Sequence, residues 1–192
     1  MTQARGRTGR GAAASRLFTP AGLCLALICF LFGFLAVSCD TPGGYGRTGQ
    51  GGTTTYSGLD LAIGTAPTID PGRVDAEFQS RSDLIGWQPA IALAALAIMV
   101  GVVAGASAMS RRRMVVVGST AAAAALLVLG ELLAHHRLTG QVADQLREPL
   151  PPGKTPGDYV VVGGGFTTAL AILAVVLACQ LAGYLLRRRQ AT

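Results

Sequence analysis

Four long stretches of the chain carry almost no charge, and they constrain the fold more than any other feature of the sequence. They cover residues 17–39, 84–110, 114–134 and 159–186, and Glu131 is the only charged residue inside them. Each is longer than the roughly 20 residues that a helix needs to cross the core of a bilayer. They occupy about half of the 192 residues, which leaves no room for a large soluble domain. We therefore predict an all-α membrane protein with four transmembrane helices.

The predicted organisation alternates helices and loops. In chain order it comprises a disordered basic tail (1–16), a first transmembrane helix (17–39), an outer loop (40–88), a second helix (89–109), a turn (110–113), a third helix (114–134), a second outer loop (135–158), a fourth helix (159–186) and a short tail (187–192). Trp87, Tyr159 and Tyr184 lie at the predicted helix ends. This agrees with the preference of amphipathic rings for the membrane interface.

The distribution of charge predicts the orientation of the helices. Ten of the 16 basic residues lie before the first helix, between the second and third, or after the fourth, where no acidic residue occurs. The other six basic residues and the ten acidic residues lie in or near the two larger loops. Lys and Arg in the short segments next to membrane helices are retained in the cytoplasm. We therefore expect a multi-pass protein of the cell membrane with both termini cytoplasmic.

The same distribution explains the net charge of +6 without a nucleic-acid partner. The alternative is that the arginine-rich amino terminus is an arm that binds nucleic acid or anionic lipid. Four scattered arginines, Arg5, Arg7, Arg10 and Arg16, are better explained as a topology signal.

The end of the first apolar stretch has two interpretations. Ser38-Cys39 after a basic start and an apolar run is the outline of a lipoprotein signal. The apolar run is longer than the 7–15 residues of a cleaved signal, which favours a retained helix. Cys24, Cys29 and Cys179 lie at other predicted depths, too far from Cys39 for a disulfide. Cys39 is therefore expected to be a free thiol, lipidated or bonded to a partner.

The first outer loop begins with a glycine-rich linker at 41–52 and then shows signs of order. Residues 53–56 and 59–63 flank Ser57-Gly58, and the second of these segments alternates apolar residues with others. This pattern predicts a small β-hairpin. Further along, Asp70-Pro71 is typical of a helix start and predicts a short amphipathic helix that leads to Trp87.

Small residues recur at helical spacing in two of the predicted spans. Ala97, Gly101 and Gly105 share one face of the second span, and Ala174, Ala178 and Ala182 share one face of the fourth. Small residues let helix backbones approach closely in lipid. We interpret both faces as helix-packing surfaces within the monomer, with a partner interface as the alternative.

Glu131, His135 and His136 are the candidate polar site. A carboxylate and an imidazole four residues apart can share a proton or a metal ion. Glu131 is about 17 residues, or roughly 25 Å, from the start of its span, which places it near the outer headgroups. We therefore predict an interfacial charge in contact with water, with a proton relay or a metal site as the alternative.

Gly163, Gly164 and Gly165 follow three valines but do not form a phosphate-binding loop. The strand, glycine loop and soluble helix of a nucleotide-binding unit are missing around them. The glycines instead predict a thin or kinked start of the fourth helix.

Two stretches of the sequence resemble uncharacterised small bacterial multi-span membrane proteins. They are Phe34-Leu35-Ala36-Val37-Ser38-Cys39, where the first span ends in Ser-Cys, and the Tyr-Ser-Gly-Leu-Asp-Leu-Ala stretch within residues 55–64. The resemblance covers about residues 34 to 64. It implies a multi-span architecture and no activity or residue role.

No segment of the sequence carries a catalytic, cofactor or metal-binding signature, so we expect no enzyme activity and no cofactor. The preferred hypothesis is a non-enzymatic accessory or interaction component that contacts the lipid bilayer and another membrane or extracytoplasmic protein. The alternative is a small transporter or channel subunit, although such proteins usually show intramembrane charge or broken helices.

Overall fold

The computed structural model of the chain describes residues 8–38, 53–69, 86–107, 112–145, 153 and 155–191. The helices are α1 (Thr8–Ile28), α2 (Gly58–Ile63), α3 (Pro89–Ala106), α4 (Arg112–Gln145) and α5 (Gly164–Ala191). The strands are β1 (Gly33–Ser38), β2 (Thr53–Ser57), β3 (Thr68–Ile69) and β4 (Val160–Val162). Two turns of 3₁₀ helix, Cys29–Leu31 and Pro156–Tyr159, precede β1 and β4.

Three of these helices are long and apolar enough to cross a membrane. Their apolar parts are Pro89–Ala106 in α3, Arg112–Gly140 in α4 and Gly164–Leu185 in α5. The apolar helix in the first predicted span is shorter and covers Phe18–Leu31. The described part of the chain therefore contains three helices with the length and apolar composition of membrane-spanning helices.

The helices form an antiparallel bundle. α1 packs on α3 and α5, and α4 packs on both α3 and α5. At one end, two glycines of α3 lie against α1. A Cβ at Gly101 would lie close to Leu23, and a Cβ at Gly105 would lie close to Pro20. At the other end, Gly130 of α4 lies against Ile91, close to the start of α3. The direction of the chain therefore reverses at each successive long helix.

A four-stranded sheet closes one end of this bundle. The strand order is β3-β2-β1-β4, and each neighbouring pair is antiparallel. β1 continues from α1 through a 3₁₀ turn, and β4 leads into α5. We call this end, where α1 stops and α3 and α5 begin, the sheet end. The strand side chains Phe34, Leu35 and Tyr56 are fully or almost fully buried.

The sheet corrects the prediction of a continuous helix over 17–39. The helix ends at Ile28, and Phe32 has the extended backbone that starts a strand. β1 then pairs with β2 on one side and β4 on the other, and its Leu35 and Val37 are buried. The sequence of a buried central strand is a continuous run of apolar residues. The periodicity of hydrophobic residues does not distinguish such a run from part of a helix.

The prediction of a β-hairpin is wrong for its second strand. Residues 53–57 form β2, but the following segment is helix α2. The Ser57 hydroxyl accepts a hydrogen bond of 3.1 Å from the Asp60 amide, and the Asp60 carboxylate accepts one of 2.9 Å from the Ser57 amide. Gly64 ends the helix with a left-handed backbone, φ 76°. This reciprocal capping box favours a helix over the weak alternation of the segment.

Other boundaries also differ from the sequence prediction. α1 begins at Thr8, inside the segment predicted to be disordered, and α4 continues to Gln145, beyond the predicted end at residue 134. α5 begins at Gly164, because Val160–Val162 pairs with β1 as a strand. The glycine-rich linker, Cys39 and the predicted helix after Asp70 lie outside the described residues.

Candidate functional site

The junction between the sheet and the bundle is built around a run of glycines. The Gly163 amide donates a hydrogen bond of 2.5 Å to the Phe34 carbonyl. A Cβ at Gly165 would lie 2.9 Å from the carbonyl oxygens of Gly33 and Phe32 and 3.0 Å from that of Cys29. Real Cβ atoms rarely come so close to backbone oxygens, so only glycine allows α5 to start against the end of α1.

Phe34 fills the centre of this junction. Its ring is fully buried and lies 5.0 Å from the ring of Phe30 and 6.0 Å from that of Phe166, between centroids. A Cβ at Gly58 would lie 2.7 Å from the Phe34 ring, so the first turn of α2 also packs on it. One side chain of β1 therefore joins the turn after α1, the start of α5 and the start of α2.

A groove of about 630 Å³ runs along the outside of the same junction. Its lining comprises Leu25, Ile28, Cys29, Phe32, Gly33, Thr55, Gly163, Gly164, Gly165, Thr168 and Ile172. The hydroxyls of Thr55 and Thr168 and the buried thiol of Cys29 are the polar side-chain groups in this lining. The groove is suited to hold an apolar group, and its lining contains no acid–base pair.

Glu131 is buried, and the prediction of a charge in contact with water is wrong. The residue is 5% exposed, and neither carboxylate oxygen has a hydrogen-bond partner among the residues that the structure describes. The adjacent Gly130 explains the burial, because a Cβ there would lie 2.5 Å from Ile91 Cγ1 and 3.3 Å from the Ile91 amide nitrogen. α3 and α4 therefore pack in close contact beside the carboxylate.

The structure does not join Glu131 to the two histidines. The Thr139 hydroxyl donates a hydrogen bond of 2.8 Å to the His135 carbonyl, and its oxygen lies 3.5 Å from His135 Nδ1. His136 is exposed. Within the described part of the chain, no three His, Cys, Asp or Glu residues are grouped so that they could hold a metal ion.

The two small-residue faces have different surroundings. In α3, Gly101 and Gly105 are buried: a Cβ at Gly101 would lie 2.8 Å from Ser119 Oγ, and one at Gly105 would lie 3.6 Å from Pro20 Cβ. Ala97 on the same face is partly buried. In α5, Ala174, Ala178 and Ala182 are all exposed, so the structure does not bring this face into the bundle.

The three described cysteines are free thiols. Cys29 is buried at the junction, whereas Cys24 and Cys179 are exposed on the surface of the helices.

One polar contact within the bundle was missed by the sequence analysis. Gln180 Nε2 of α5 donates a hydrogen bond of 2.5 Å to the hydroxyl of Thr19 in α1. A glutamine inside an otherwise apolar span is the signal that indicates such a contact, because polar side chains in membrane helices bond across helix interfaces.

The described features that could take part in chemistry or binding therefore include an isolated buried carboxylate, an apolar groove and a hydrogen bond between α1 and α5. Within the described part of the chain no metal-binding group is found, and the one hydroxyl–imidazole contact noted above, Thr139 with His135, joins two residues of the same helix. Comparison with protein-family models and with curated proteins gave no match.

Proposed function

We propose that the protein is a non-enzymatic, multi-pass component of the cell membrane that binds another membrane or extracytoplasmic protein through its sheet. The observation that carries the proposal is the direct connection between strands and membrane helices. β1 continues from α1, β4 leads into α5, and the Gln88 amide before α3 donates a 2.8 Å hydrogen bond to the Leu61 carbonyl of α2. A sheet held by three helices is a rigid platform for recognition.

The proposed orientation places the sheet outside the cell and both termini in the cytoplasm. The bundle directs the end of α3, the start of α4 and the end of α5 away from the sheet. Arg112 and Arg113 at the start of α4 and residues 187–189 near the end of α5 belong to that opposite end. α1 would be the fourth membrane helix, with its basic residues at the same end. The positive-inside rule supports this arrangement.

Site-directed labelling tests this orientation. In a variant whose native cysteines are replaced by alanine, Thr65→Cys places a thiol at the sheet end, and Ser107→Cys places one at the opposite end. We expect a membrane-impermeant maleimide to label only Thr65→Cys in intact cells and both variants after lysis. Labelling of Ser107→Cys in intact cells would contradict the proposed orientation.

The short end strand β4 supplies the most direct binding surface of the sheet. Val161 and Val162 are 52% and 40% exposed, although both lie in a strand. β4 is at one end of the strand order, where a sheet can accept a further strand or an apolar side chain from a partner.

A matched pair of substitutions tests binding at β4. Val161→Thr keeps the β-branched shape but removes a methyl group in favour of a hydroxyl, and Val175→Thr makes the same change at a site in α5 that is 53% exposed. We expect cross-linking in native membranes to recover the same partner with the wild type and Val175→Thr and to lose it with Val161→Thr. Equal recovery from all three proteins would contradict binding at β4.

The burial of Glu131 favours a second candidate function, a small transporter or channel subunit. An ionisable group without a partner inside a membrane bundle is a frequent mark of proton or ion handling. If this function is correct, Glu131→Gln abolishes an ion- or pH-dependent flux into vesicles that contain the purified protein, while partner recovery is unchanged. Under the preferred function, the wild type shows no flux that depends on Glu131.

A further inference from the structure

An exposed apolar patch lies at the sheet end, beside the start of α3. Trp87 and Ile63 are 61% and 60% exposed, and Leu59 is also exposed. Leu59 and Ile63 are four residues apart and share one face of α2, whereas Leu61 and Ala62 on the other side are buried. We call Leu59, Ile63 and Trp87 the α2–Trp87 patch.

The patch is fixed to the two residues that immediately precede α3. A Cβ at Gly64, which follows Ile63, would lie 3.1 Å from the Trp87 amide nitrogen, so the end of α2 contacts the chain at Trp87. Next to it, the Gln88 amide bonds to the Leu61 carbonyl. Pro89 begins α3 directly afterwards. The patch therefore lies at the depth where α3 leaves the bilayer.

The patch also adjoins the exposed apolar surface of α3. This surface recurs every three or four residues at Pro89, Leu93, Leu96, Val100 and Val103. In a membrane such a stripe faces lipid acyl chains. Because the stripe begins two residues after Trp87, the bilayer reaches the patch as well.

The charged residue of α2, Asp60, has hydrogen-bond partners within its own segment. The Asp60 carboxylate accepts hydrogen bonds of 2.6 Å from the Ser57 hydroxyl and 2.7 Å from the Thr65 hydroxyl. The exposed face of α2 therefore presents Leu59 and Ile63, and it does not present a free charge that would hold it in water.

We propose that the α2–Trp87 patch is a lipid-binding anchor that lies in the membrane interface on the sheet side. Leu59 and Ile63 enter the boundary between headgroups and acyl chains, and the Trp87 ring lies at headgroup level, which tryptophan prefers. Interfacial helices bury their apolar face by roughly 5–10 Å. The anchor fixes the height of the sheet above the bilayer, independently of which protein the sheet binds.

Trp87 is the only tryptophan in the chain, so its fluorescence reports on the patch without labelling. The test uses the full-length protein in phosphatidylcholine nanodiscs, in which both membrane faces are open to solutes. We expect lipids brominated near the start of their acyl chains to quench Trp87 strongly. Lipids brominated near the chain ends should quench it weakly, and aqueous acrylamide should quench it several-fold less than free tryptophan.

Two other outcomes would overturn the proposal. Strong quenching by acrylamide without quenching by brominated lipid would show that the patch is in water. Protection from both quenchers would show that protein, such as a second copy of this chain, covers the patch.

A variant pair tests whether the patch acts as one unit. Ile63→Asn places an amide in the patch, and Val161→Asn makes a comparable change at an exposed site on β4. We expect Ile63→Asn to increase quenching of Trp87 by acrylamide and Val161→Asn to leave it unchanged. An unchanged Ile63→Asn protein would show that α2 does not hold Trp87 in the interface. The wild-type measurement decides the proposal even if Ile63→Asn fails to fold.

Discussion

Gln180 in α5 and Thr19 in α1 are joined by a side-chain hydrogen bond of 2.5 Å across the bundle. Thr19 is buried, and the bond connects residues that are 161 positions apart in the chain. Nearby, a Cβ at Gly22 would lie 2.7 Å from Val176 Cγ2, so α1 and α5 are in close contact at this level. The bond therefore fixes the relative height of the first and last membrane-associated helices.

This bond can be measured with a double-mutant cycle of Thr19→Val and Gln180→Leu. We expect a coupling energy of about 0.5–2 kcal/mol, the range measured for hydrogen bonds between membrane helices. The free energy of unfolding in detergent or bicelles is the quantity to compare. The control pair is Ser119→Ala with Gln180→Leu, because the Ser119 hydroxyl bonds to the Val116 carbonyl in its own helix. Equal coupling in both cycles would contradict a direct bond.

Gly165→Ala should destabilise the protein severely, whereas Gly164→Ala should not. A Cβ at position 165 would lie 2.9–3.0 Å from three carbonyl oxygens, and one at position 164 would meet nothing within 4 Å. Overpacking of this kind costs about 1–3 kcal/mol, and more where backbone atoms cannot move aside. Thermal denaturation in detergent measures the difference. Similar midpoints for the two variants would show that α5 does not start against the end of α1.

Replacement of Glu131 by methionine should raise the stability of the protein. A buried polar group without a hydrogen bond costs about 1–3 kcal/mol, and methionine has a similar shape without that cost. Thr120→Val is the control on the same helix, because the buried Thr120 hydroxyl already has a partner, the Val116 carbonyl, at 2.7 Å. The free energy of unfolding of the Thr120→Val protein should therefore not increase.

A loss of stability in Glu131→Met would contradict this prediction. It would show that the carboxylate has a stabilising partner in the membrane, such as a bound cation, and would favour the transport function.

Asp60→Ala should open α2 locally without unfolding the bundle. The carboxylate accepts hydrogen bonds from the Ser57 amide and hydroxyl and from the Thr65 hydroxyl. Loss of a helix cap costs about 0.5–2 kcal/mol. Hydrogen exchange should therefore become faster in residues 58–63 and stay unchanged in α4. Ser57→Thr keeps the capping hydroxyl and should behave like the wild type, and faster exchange in that variant would argue against the capping box.

Residues 1–38 should remain in the mature protein. β1 lies between β2 and β4 in the sheet, and α1 packs on both α3 and α5. Cleavage before Cys39 would remove both elements and leave β2 and β4 without the strand that joins them. The intact mass of the purified protein is therefore expected to include residues 1–38. Detection of a chain that begins at an acylated Cys39 would contradict this expectation.

The sequence by itself determined that the chain forms helices long and apolar enough to cross a membrane. The apolar stretches that contain α3 and most of α4 and α5 are long and nearly free of charge, and helices are the natural way to satisfy their backbone groups in lipid. Local signals also mark α2, although we predict a strand there from the alternation in residues 59–63. Ser57 and Asp60 stand at the spacing of a capping box, and Gly64 stands where the helix ends. These features depend on neighbouring residues only, so they can be recognised in the sequence without knowledge of the tertiary structure.

Only the tertiary structure decided that the first apolar stretch ends in a strand and that Glu131 is buried. Residues 33–38 are apolar enough for a helix, but β2 and β4 offer hydrogen bonds on both sides, and Gly163 and Gly165 allow α5 to begin against them. Glu131 is near the end of an apolar run, where depth alone predicts contact with water. Its burial results from the close approach of Ile91 to Gly130, on a different helix. Both outcomes depend on contacts between segments far apart in sequence, which local patterns do not encode.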